Sequence, residues 1–101
     1  MTLASGLSIP EERLAEICQR YGVRELAIFG SAAREDWGQH SDVDVMVEFM
    51  PDRHPGLAYF TLETELGQLF DRRVDLATKK WILPQWQQKI HPEACVVYSA
   101  R

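Results

Sequence analysis

The chain has 101 residues, 46% hydrophobic and 26% charged, a balance that fits one globular domain over residues 1–101 and argues against disorder. No apolar run approaches the ~20 residues that cross a bilayer. The opening stretch lacks the basic flank and apolar core of a secretory leader, and Cys18 and Cys95 form neither a metal-type spacing nor a disulfide framework, so a cytoplasmic protein is expected. Net charge is −4, and residues 30–49, with Arg34 against Glu35, Asp36, Asp42, Asp44 and Glu48, account for all of it. Such an acidic stretch repels phosphate backbones, so direct DNA binding is not expected.

The predicted elements alternate along the chain. Ser8 and Glu11 have the spacing of a capping box, with Pro10 in the first turn of a helix. Leu14, Ile17, Cys18 and Tyr21 then recur on one helical face, and Gly22 stands where that helix should stop. Glu25 to Phe29 is a short apolar run closed by Gly30, the length of a buried strand. From Ser41 the period becomes two: Val43, Val45, Val47 and Phe49 share one face, and Asp42, Asp44, Met46 and Glu48 the other. Met50 to Gly56 reads as a surface loop. Tyr59, Leu62, Leu66, Leu69 and Phe70 form a second helical stripe. Arg73 to Ala77 is a strand with Asp75 opposed to Val74 and Leu76. A short helix ending near His91 and a strand from Glu93 to Tyr98 complete the chain. The alternation predicts an α/β fold, a small sheet covered by helices.

Four features bear chemistry. Gly30-Ser31 directly follows a buried strand, where a glycine lets backbone N–H groups approach an anionic ligand. Asp42 and Asp44 share a strand face, about 6.6 Å apart along the chain, a separation from which carboxylates lean inward to hold cations at two-metal spacing. Asp75 is inverted against its apolar neighbours and reaches the same face if the strands pair. The turn Gly38-Gln39-His40-Ser41 leads the aspartates back toward the Gly-Ser loop. Each feature taken singly has an ordinary structural explanation: a tight turn, a solvated strand face, an acid paired with Arg72 or Arg73. Together they do not, because clustered like charges raise one another's pKa unless a cation neutralises them. Magnesium suits oxygen-only ligands and shares its shell with substrate phosphates.

The residues Gly30-Ser31-Ala32-Ala33-Arg34, followed by Gly38-x-x-Ser41-Asp42-x-Asp44 and Val45-Met46-Val47-Glu48-Phe49, resemble the minimal nucleotidyltransferases of the DNA polymerase beta superfamily. The spacing to Val74-Asp75-Leu76 suits that family's third carboxylate. The resemblance implies a polymerase beta palm-like fold and transfer of a nucleoside monophosphate from ATP to a hydroxyl. It assigns two Mg2+ ions to Asp42 and Asp44, with Asp75 completing the ion that activates the acceptor. It assigns the triphosphate to Gly30, Ser31 and Ser41 with Arg34 in support, although Arg34 is equally placed to pair with Glu35, Asp36 or Asp75.

Chains of this length in that family resemble the antitoxin half of HEPN/MNT toxin–antitoxin pairs, which implies a tyrosine of a HEPN toxin as the acceptor and the toxin as partner. About 100 residues leave little beyond a core and a metal site, so the acceptor is expected on another protein. The alternative is a non-catalytic antitoxin that masks its partner, for which the carboxylate triad is superfluous. Lys79 and Lys80 follow Asp75 closely, and Trp81-Ile82-Leu83-Pro84-Gln85-Trp86 concentrates four large apolar residues. That segment is expected to dock the acceptor protein beside the site.

Overall fold

The computed structural model describes residues 2–3, 6–29, 42–53, 55–78 and 95–100. Its elements run α1 (Glu11–Tyr21), β1 (Val23–Phe29), β2 (Val43–Phe49), α2 (Ala58–Phe70), β3 (Val74–Thr78) and β4 (Cys95–Ser99). The strands form one sheet in the order β3-β2-β1-β4. β1 pairs antiparallel with β2 and with β4, whereas β2 and β3 are parallel, so the sheet is mixed. The parallel pair requires a crossover, and α2 supplies it.

The period-two pattern of β2 sorts its residues as expected. Val43, Val45 and Val47 are fully buried, with Leu26 and Ile28 of β1 and Val74 and Leu76 of β3 in the same apolar cluster. Helix α1 contributes Leu14 and Cys18, and α2 contributes Tyr59, Leu62, Leu66 and Phe70. Each of these side chains stabilises the fold by about 1.5–3 kcal/mol through removal from water. The opposite sheet face is not wholly polar, since Ala27 and its cross-strand partner Met46 are also buried.

Two boundaries carry information. The capping box does not form: Pro10 is the N-cap residue in extended geometry and no side chain caps the helix. Ser8 instead forms an isolated backbone bridge with Thr2 and stands two residues before the N-cap position. At the other end Gly22 adopts φ 71°, and its N–H caps the carbonyls of Cys18 and Gln19. The two helices are tied by an ion pair from Arg20 to Glu65 at 2.9 Å. The anticipated helix ending near His91 lies outside the described residues.

Candidate active site

β2 is a central strand, and its register places one carboxylate against another. Asp44 lies opposite Asp75 on β3, and on its other side opposite Phe29, the last residue of β1. Directly paired positions share a sheet face, so Phe29, Asp44 and Asp75 form a row across three strands, away from the helices. Asp42 is one residue before β2 and, by the strand period, on the same face as Asp44. β1 thus ends, at Phe29, at the sheet end where the three aspartates stand.

Their environments differ. Asp42 and Asp75 are exposed, whereas Asp44 is half-buried. Burial, followed by the neighbouring charges of Asp75 and Asp42, pushes the Asp44 carboxyl above its ordinary value. Partial desolvation in a row with Phe29 and two like charges all disfavour its ionised form. An oxygen-only, negatively charged set of this kind fits a hard divalent cation, which relieves both penalties. Among the described residues no three His, Cys, Asp or Glu side chains are gathered closely enough to hold an ion as they stand. The backbone places the donors; their carboxyl groups are not drawn together.

The structure also shows two groups without a site role in the sequence reading: Tyr59, expected only as part of the buried stripe, and Glu63, which that reading did not single out. The Tyr59 hydroxyl is buried and donates to the Leu76 carbonyl at 2.7 Å. One turn later Glu63 Oε2 accepts the Leu76 N–H at 3.3 Å. Burial, with Glu63 and Asp75 nearby, pushes the Tyr59 phenol up to about 12, so it remains a donor through neutral pH. The available signal in the sequence was the tyrosine itself, since a buried phenol generally finds a partner; which strand it would meet was not legible. Gly30, Ser31, Arg34 and Ser41 lie outside the described residues, as do Lys79, Lys80, Trp81 and Trp86.

With this geometry in hand, comparison with known proteins is decisive. The family described as Nucleotidyltransferase domain matches residues 11–97, from the first residue of α1 into β4. The chain belongs to that family. A protein adenylyltransferase, MntA, of Thermococcus cleftensis is 40% identical to this nucleotidyltransferase over 80 residues, covering 78% of this chain and 79% of the relative. A Methanocaldococcus jannaschii protein provisionally named a protein adenylyltransferase is 40% identical over 83 residues, 80% of this chain and 93% of its own.

Among solved structures, one described provisionally as a minimal nucleotidyltransferase superposes with a TM-score of 0.72 at 29% identity, covering 84% of this chain and 86% of that one. A toxin–antitoxin crystal structure with AMP-PNP superposes equally well, TM-score 0.72, at 18% identity over 92% of this chain and 76% of that one. The mixed sheet with helices against it is therefore the minimal nucleotidyltransferase fold that the sequence predicted. Among the described residues no helix is long and apolar enough to cross a membrane.

Proposed function

We propose that this nucleotidyltransferase moves AMP from ATP to a hydroxyl, a tyrosine, of a HEPN-type toxin and thereby acts as its antitoxin. The observation that carries the reading is the Asp44–Asp75 register, with Asp42 beside it, at the sheet end where β1 leads into Gly30-Ser31. Support for the donor and setting comes from relatives named as protein adenylyltransferases. One solved neighbour is a toxin–antitoxin complex with AMP-PNP, and another holds a tri-AMPylated Shewanella oneidensis HEPN toxin with its MNT antitoxin (TM-score 0.63, 18% identity, 89% of this chain and 70% of that one).

In this reading Asp42 and Asp44 hold two Mg2+ ions and Asp75 completes the set on the acceptor side. Bound there, magnesium lowers the pKa of the acceptor hydroxyl and offsets charge on the triphosphate. Gly30, Ser31 and Ser41 bind the triphosphate through backbone and hydroxyl groups, and Arg34 adds positive charge. The acceptor oxygen forms a bond to the α-phosphorus, the bond from that phosphorus to the bridging oxygen breaks, and pyrophosphate leaves. The hydroxyl proton passes to solvent.

The test is incubation with α-labelled ATP, Mg2+ and the cognate partner. Label should appear on the partner and disappear with the Asp42→Asn/Asp44→Asn double replacement, while circular dichroism shows a retained fold. Labelling that survives the double replacement refutes the site. Masking without catalysis predicts instead that the double variant still protects cells from the partner at ordinary expression. The Trp81–Trp86 segment is proposed to dock the partner. Trp81→Ala and Trp86→Ala should each weaken its binding by about 2 kcal/mol, the loss typical of a hot-spot residue; two folded variants that bind like the parent return these tryptophans to the core.

A further inference from the structure

Asp75 stands on β3, which ends the described sheet, and edge strands expose a row of unpaired backbone groups. Val43 donates its N–H to the Arg73 carbonyl at 2.8 Å. By the alternation of a parallel ladder, Arg73 and Asp75 therefore direct their backbone groups toward β2, and Leu76 directs both of its own outward. There a single helix takes both: the Tyr59 hydroxyl donates to the Leu76 carbonyl at 2.7 Å, and Glu63 accepts the Leu76 N–H at 3.3 Å. Tyr59 and Glu63 are four residues apart, so they project from the same side of α2. One hydrogen bond leaves a strand free to pivot; two, on the N–H and carbonyl of one residue, fix its shift along the helix and its twist. The residue so gripped adjoins Asp75.

We infer that Tyr59 and Glu63 are positioning residues that set the Asp75 carboxylate against Asp44 by clamping the outer edge of β3. The inference rests on the proposed reading that these aspartates share a divalent cation. Both act through the backbone of Leu76. Because the clamp acts on ligand geometry, loosening it weakens cation binding in protein that remains folded. A purely structural contact would lower the melting temperature alone.

The probe is Mn2+ added to the nucleotide-free protein, with free ion quantified by electron paramagnetic resonance, so that no turnover is involved. Tyr59→Phe keeps the ring in the core and removes only the donor; it should weaken Mn2+ binding about fivefold, the equivalent of one net hydrogen bond. Glu63→Ala should do the same. Glu63→Gln should stay within about twofold of the parent, because its amide oxygen still accepts the Leu76 N–H. Asp44→Asn separates the two layers of the argument. If it weakens binding while Tyr59→Phe binds like the parent, the clamp is overturned and the carboxylate reading stands. If Asp44→Asn also leaves binding unchanged, the carboxylate reading fails and the clamp falls with it. A Glu63→Gln loss as large as that of Glu63→Ala assigns Glu63 a charge effect and overturns its part. Should Glu63→Ala fail to fold, Tyr59→Phe alone decides.

Discussion

Replacing Asp44 with asparagine should stabilise the metal-free protein while removing its activity. Paired strand positions are about 4.8 Å apart, and two unit charges about 5 Å apart repel by ~0.8 kcal/mol in water and ~3 kcal/mol at an effective dielectric of 20. Asp75 is exposed and Asp44 half-buried, which places the pair toward the lower figure. A gain of about 1 kcal/mol corresponds to a rise of roughly 4 °C or more in the melting temperature of a domain this small. Thermal unfolding followed by circular dichroism at pH 7, in EDTA and low salt, measures it.

The pH dependence has a definite sign. The Asp44 carboxyl is raised in the native state, so between its ordinary value and the raised one the native protein holds a proton that the unfolded chain has lost. The penalty is absent below the unfolded value and fully present once the pH exceeds the folded one. The gap between parent and Asp44→Asn should therefore close on acidification, and shrink in 1 M salt, where screening acts over about 3 Å. Saturating Mg2+ should reverse the order, because the parent, with its full carboxylate set, gains more binding energy than the variant. An Asp44→Asn variant that melts at or below the parent in EDTA contradicts the electrostatic argument.

Leu66 is fully buried in α2; Leu66→Ala should cost about 2–5 kcal/mol in urea titration, and a loss below about 1 kcal/mol would show that the core collapses around it. Gly22→Ala places a Cβ 2.6 Å from Arg53 Cγ at a φ of 71°. It should destabilise by about 1 kcal/mol or more, and adding Arg53→Ala should recover the steric part but not the backbone part. The Cys18 thiol is buried and pushed up to about 12, whereas Cys95 is half-buried. An aromatic disulfide reagent at pH 8 should consume Cys95 in the native protein and reach Cys18 only on unfolding; equal rates for both would contradict the burial.

Much of this protein was written locally. The alternation of Val43, Val45 and Val47 against Asp42 and Asp44 fixed a strand with one buried face, since a one-residue slip would put three valines in water. The stripe from Tyr59 to Phe70 and the αL stop at Gly22 are equally local, as each depends on residues within a turn or two of one another. The Gly-Ser and Asp-x-Asp spacing carried the family for the same reason. The capping box failed where one local pattern met another: Ser8 pairs with Thr2, six residues earlier in the chain, and the helix starts only after Pro10.

Only the tertiary structure decided which strands are neighbours. Nothing in the residues around Asp75 states that β3 runs parallel to β2 in a register opposing Asp75 to Asp44, because that pairing joins segments some thirty residues apart. The raised pKa of Asp44 follows first from partial burial and then from that pairing, and neither exists in the separate strand. Tyr59 likewise shows in the sequence as one more apolar position of a stripe. Its hydroxyl acquires a role when α2 lies along the outer edge of β3, where a backbone carbonyl without a strand partner needs a donor. Periodicity determines which face of an element is buried; the positions at which elements cross determine which polar groups meet, and those crossings are a property of the packed chain.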